Sequence, residues 1–98
     1  MVKPVPMEKD ELDAWLEKHP AWIYEGGAIS ADFKFVDFTE AFAFLAVVAK
    51  LSDEQDHHAK IENLYNRVKL TLTTHDAGNQ VTERDLVLAE KISEWKGL

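Results

Sequence analysis

The 98-residue chain contains no cysteine. That excludes disulfides, thiolate nucleophiles and cysteine-ligated zinc, and because small secreted domains usually need such staples it points to a cytoplasmic protein. No segment approaches the roughly 18 apolar residues of a membrane-spanning helix. The opening "MVKPVPMEKDELD" lacks an apolar signal core, so a soluble, unprocessed protein is expected, with no membrane partner. Basic residues are also scarce. Eleven Lys and Arg face eighteen Asp and Glu, the formal net charge is −7, and no basic run forms. Nucleic acid and anionic membrane surfaces, which need clustered positive charge, are therefore disfavoured as partners. Neither GxSxG nor a phosphate-cradling glycine loop nor HExxH occurs.

What remains is a composition that is 46% hydrophobic, as in a folded globule, and a length that suits one domain spanning 1–98 with a thin core. Pro4 and Pro6 mark an extended lead-in. "KDELDAWLEKH" is predicted helical, with Leu12, Trp15 and Leu16 on one face and His19–Pro20 as its stop. "AWIYEGGAISADFKF" reads as a hairpin turning at Gly26–Gly27. Its second strand puts Ile29, Ala31, Phe33 and Phe35 on a dry face, with Ser30, Asp32 and Lys34 on the wet one. "DFTEAFAFLAVVAKLSDEQ" is a second helix, capped by Asp37 with Glu40 completing a capping box. "IENLYNRVKLTLTTH" is a second hairpin, its turn expected at Asn66–Arg67. "TERDLVLAEKISEW" is a third helix, with Thr82 as N-cap, Asp85 at the third position and Leu88, Ile92 and Trp95 along one stripe. The order α-β-β-α-β-β-α implies an α+β fold, a four-stranded antiparallel sheet with three helices on one face.

From Ala41 to Ala49 the second helix has no polar residue. A helix apolar around its whole circumference must be covered on more than one side. Either the flanking helices do this or a second copy does. The second alternative predicts a homo-oligomer, dimer or tetramer, packed through residues 38–51.

Three of the four histidines, His57, His58 and His75, fall within "DHHAKIENLYNRVKLTLTTHDAG". His57 and His58 stand at a helix-to-strand junction. If the second hairpin turns at 66–67, His75 comes to lie opposite residue 58. Imidazoles titrate near neutrality, so such a cluster suits general acid–base chemistry, with Asp53, Asp56 and Asp76 fixing tautomers. A zinc site is a weaker alternative, because adjacent histidines in an extended segment point opposite ways. The plainest alternative is three solvated histidines with no joint role. Asp85 reads chiefly as a helix cap. Trp22 and Tyr65 read as half-buried sheet residues, either of which can flank a flat ligand.

The pattern Asp53, three residues, His57–His58, then Tyr65, His75 and Asp85 resembles the pterin-4a-carbinolamine dehydratases. "YNRVKLTLTTHDAG", "TERDLVLA", the Trp22 strand and "FKFVDFTEAFAFLAVVA" extend the resemblance over nearly the whole chain. Ala59 stands where that family usually has proline, and the loop "GNQVTERD" is one residue longer than usual. The resemblance implies dehydration of a 4a-hydroxy-tetrahydropterin to quinonoid dihydropterin, recycling the pterin of aromatic amino-acid hydroxylases. It implies His58 and His75 as acid and base with His57 assisting, no metal and no cofactor. It also implies a pterin pocket lined by residues 57–59 (to Ala59) and 74–77 (Thr74, His75, Asp76, Ala77), with Asp53, Asp56, Tyr65, Asp85 and Trp22 in support. Family members are tetramers packed through the second helix. The alternatives it carries are a non-catalytic adaptor docking through that helix and a molybdopterin-linked role.

Overall fold

A computed structural model describes residues 3–98. Helix α1 (Lys9–Lys18) is followed by β1 (Ile23–Glu25) and β2 (Ala28–Lys34), α2 (Phe38–Gln55), β3 (Lys60–Leu64) and β4 (Arg67–Leu72). A short 3₁₀ turn (His75–Ala77) and α3 (Glu83–Lys96) complete the chain. The class and order are those expected from the sequence. The strands run β1-β2-β4-β3, antiparallel throughout, so the two hairpins join through their inner strands.

The alternation in β2 sorts its side chains as predicted. Ile29, Ala31, Phe33 and Phe35 are buried, whereas Asp32 and Lys34 are exposed. Ser30 departs from the pattern, being buried although it lies on the polar face. On the dry face, Val68, Leu70 and Leu72 of β4 join the β2 residues beneath Phe44 and Val48 of α2 and Leu88 and Ile92 of α3. Phe44 is completely buried, with the rings of Phe33, Phe35 and Trp95 at 5.0, 5.0 and 5.6 Å. Trp95 only rims this core and is half exposed, so the stripe predicted for α3 ends at Ile92.

Turn chemistry sets the architecture around the sheet. Gly26 and Gly27 both take positive φ, and a Cβ on Gly27 would lie 2.3 Å from the carbonyl oxygen of Asn79. The glycine thus turns the first hairpin and also lets the loop before α3 approach it closely. In the second hairpin the turn falls at Tyr65–Asn66, one residue earlier than expected, because Leu64 pairs with Arg67. Tyr65 carries the positive φ of 51°, and Asn66 is locked by donating to the Phe35 carbonyl while its own carbonyl accepts from the Phe35 N–H. Tyr65 is therefore exposed at the hairpin tip, not half-buried in the sheet. Trp22 errs the other way. It is almost fully buried, its indole N–H donating to Ser93 Oγ at 2.8 Å.

At the start of α2 the Asp37 carboxylate accepts from Glu40 N at 2.8 Å. The reciprocal arm of Glu40 reaches Val36 N, not Asp37 N, so only half of the predicted box forms at the cap itself. Ala41, Phe44, Val48 and Ser52 form the buried stripe of α2. Phe38, Phe42, Ala43, Ala46 and Ala49 remain exposed, so the flanking helices of this chain do not cover the other side.

Candidate active site

The end of α2 builds one wall of the site. Asp56 takes a left-handed conformation (φ 51°, ψ 44°) as its C-cap, and the His57 N–H turns back to the Ser52 carbonyl at 3.1 Å. This reversal drives the His57 ring inward, where its side chain is 10% exposed and Nε2 lies 2.5 Å from Asp85 Oδ1. The next side chain points outward, as the alternation of an extended segment requires. His58 is 58% exposed, with Nε2 2.9 Å from Asp53 Oδ1 in the last turns of α2.

The opposite wall follows β4. The observed register sets Lys60 against Thr71, so two steps along the ladder residue 58 faces 73, not 75. The predicted pairing of His75 with His58 is thus displaced by two residues, because the hairpin turns at 65–66. His75 reaches the site by another route. After Leu72 the chain leaves the sheet, Thr74 bridges to Gln80, and His75 opens the 3₁₀ turn closed by Gly78 at φ 72°. The His75 side chain is 92% exposed, with a loose 3.8 Å approach to Asp76.

Asp85 carries the back wall. It is completely buried, and its Oδ2 accepts from Thr74 Oγ1 at 2.8 Å and from Thr82 N at 2.9 Å, while Oδ1 faces His57. The capping box predicted for α3 is present, but its acidic member serves His57 as well. The buried Asp85 side chain has three converging polar partners, and leaving a buried polar group of this kind unpaired typically costs about 1–3 kcal/mol.

All three histidines line one open hollow of about 220 Å³, together with Asp56, Asp76, Thr73, Thr74 and Arg84. Asp53 and Asp85 stand behind it as partners of His58 and His57. Ala59 and Ala77 are not among its lining residues. Tyr65 lies at the other end of the hairpin and Trp22 within the core, so neither flanks the hollow. Thr73 and Arg84 escaped sequence reasoning. Thr73 is found only through the strand register, and Arg84 only through the docking of α3 on α2, where its carbonyl accepts from Gln55 Nε2 at 2.7 Å. Among the described residues, no three His, Asp or Glu side chains form a group that could hold a metal ion. A larger hollow of about 590 Å³ between the lead-in and the start of α3 contains no histidine.

The family model for pterin 4 alpha carbinolamine dehydratase matches residues 5–95. The chain belongs to this family. It is 48% identical over 88 residues to a protein of Prochlorococcus marinus (strain NATL2A) whose name assigns it provisionally to the pterin-4-alpha-carbinolamine dehydratases; the match covers 90% of this chain and 92% of that one. A similarly named protein of Rhizorhabdus wittichii is 44% identical over 89 residues, covering 89% and 91%. The crystal structure of a transcriptional coactivator/pterin dehydratase from Brucella melitensis superposes with a TM-score of 0.85 at 37% identity, covering 91% of this chain and 96% of that one. A more distant structure, with a TM-score of 0.66 at 25% identity, covers 79% of this chain and 90% of the other; it is of a pterin dehydratase-like protein identified as a RuBisCO assembly factor in the alpha-carboxysome.

Proposed function

We propose that this pterin-4a-carbinolamine dehydratase family member removes water from a 4a-hydroxy-tetrahydropterin, giving quinonoid dihydropterin. Hydroxide is a poor leaving group. An imidazolium protonates the 4a-hydroxyl so that it departs as water, and a neutral imidazole takes the proton released from a ring nitrogen. His58 and His75 supply acid and base, and His57 assists from the back wall. Residues 57–58 and 73–76, with Arg84, hold the flat bicycle, and no metal or cofactor takes part. The observation that carries this reading is that three imidazoles, from two segments far apart in sequence, line one hollow with a carboxylate behind each member of the adjacent pair. The reaction recycles the pterin of an aromatic amino-acid hydroxylase in the cytoplasm, by a homo-oligomer packed through the exposed apolar face of α2.

The test is stopped-flow turnover of 4a-hydroxy-tetrahydropterin above its spontaneous dehydration. Both side chains are exposed, so the double variant His58→Ala/His75→Ala retains its fold. Its rate should fall by at least about 100-fold, the lower range for loss of general acid–base catalysis. Undiminished turnover would end the assignment.

A second reading is a non-catalytic assembly or adaptor role. The uncovered face of α2 favours it, since docking there needs no histidine, and so does the existence of the structurally similar RuBisCO assembly factor. Wild-type protein that assembles but shows no turnover would select it.

A further inference from the structure

The proton positions behind the hollow can be traced bond by bond. Thr74 Oγ1 donates to Asp85 Oδ2 at 2.8 Å. A hydroxyl has one proton, so in the 2.6 Å contact between Thr74 Oγ1 and Thr82 Oγ1 the donor is Thr82. Thr82 Oγ1 in turn accepts from Arg84 N at 3.2 Å. Thr82 N also donates to Asp85 Oδ2. Every donor in the chain therefore points toward Asp85. An ionised carboxylate only accepts, so the remaining bond, His57 Nε2 to Oδ1, carries its proton on nitrogen. His57 Nδ1 has no protein partner among the described residues. Nor is it sealed away, since the buried side-chain polar atoms without partners are Trp15 Nε1 and Gln55 Oε1.

We propose that Asp85, itself held by Thr74 and Thr82, is the positioning residue that locks His57 as its Nε2–H tautomer, so that Nδ1 is the nitrogen with which His57 assists by accepting a hydrogen bond from the substrate. This deepens the dehydratase reading and, in its last clause, rests on it. The Thr74 hydroxyl and the Thr82 N–H hold the carboxylate against His57, and in an amide they would decide which end faces the ring. Two donors, the Thr74 hydroxyl and the Thr82 N–H, demand an oxygen at the Oδ2 position. In Asp85→Asn the amide oxygen must therefore sit there. The amide NH₂ then faces His57 Nε2, which has to accept, and the ring is forced into the Nδ1–H tautomer.

The experiment is long-range ¹⁵N–¹H NMR of histidine-labelled protein above the imidazole titration range, with His57 assigned by its loss in His57→Gln. Wild-type protein should show the Nε2–H tautomer, and Asp85→Asn the Nδ1–H tautomer. In the same variant kcat should fall about 10²- to 10⁴-fold with KM changed by less than about threefold, as expected for a wrongly held imidazole. Thr74→Val should leave the tautomer unchanged, since either carboxylate oxygen accepts from His57, and lower kcat about tenfold by loosening Asp85, and Thr74→Ser should restore kcat. A wild-type His57 in the Nδ1–H form would overturn the proposal. So would a folded Asp85→Asn protein with unchanged tautomer and kcat. Should Asp85→Asn not fold, the wild-type spectrum and the Thr74 pair decide alone. Because the tautomer is read without turnover, a locked His57 in a protein that dehydrates nothing would refute the dehydratase reading and leave the lock intact.

Discussion

Replacing Ala59 by proline tests how the histidine pair is held. Ala59 joins His58 to Lys60, the first residue of β3, and its N–H donates no hydrogen bond to the described protein. Proline there deletes nothing from the backbone ladder, which begins at Lys60. The ring also confines the preceding His58 to extended conformations, compatible with a residue leading into a strand. The gain then comes from the unfolded chain, which loses freedom it must otherwise surrender on folding, about 0.4–1 kcal/mol. For a domain of this size that raises Tm by on the order of 2–8 °C. Ala59→Gly reverses the sign, since it adds unfolded-state freedom, and costs a comparable amount. Differential scanning calorimetry of wild type, Ala59→Pro and Ala59→Gly reads the series, with urea unfolding to check that m is unchanged. Activity of Ala59→Pro should equal or exceed wild type, because His58 is held closer to its working geometry. A Tm below wild type would refute the reasoning, showing that the backbone at 58–59 takes a conformation proline cannot adopt.

Two further outcomes follow from burial. Ser93→Ala leaves the buried Trp22 indole N–H without its acceptor, and should lower stability by about 1–3 kcal/mol in urea melts, with dehydratase turnover per folded molecule unchanged. Ala46→Glu places a charge at an exposed position on the uncovered face of α2. It should leave the helical content of the protein intact and convert the proposed oligomer to monomers in light scattering, whereas an unaltered assembly would show that oligomers form through another surface.

Much of the fold was legible in the amino-acid order because the signals are local. The period-2 alternation of residues 29–35, the Gly26–Gly27 turn and the Thr82–Asp85 cap each depend on neighbours a few residues away, and each appears where expected. The second turn was misplaced by one residue because no glycine marks it. What decides it is Asn66, bound to Phe35 thirty-one residues earlier, a contact no local pattern reveals. That small slip displaced the predicted facing of His75 and residue 58 by two positions, although the three histidines still share a hollow.

The sequence by itself determined the element order, the buried stripe of the inner strands β2 and β4 and the residue types available for proton transfer. Hydrophobic period and capping chemistry act within a few residues, so they can be read along the chain. Only the tertiary structure decided that His57 turns inward while His58 faces outward, that Asp85 is a buried partner as well as a cap, and that Trp22 and Tyr65 lie away from the hollow. Those outcomes depend on where α3 docks against the end of α2 and on strand register. Both are set by packing between segments distant in sequence, where the energy of burial outweighs any local preference.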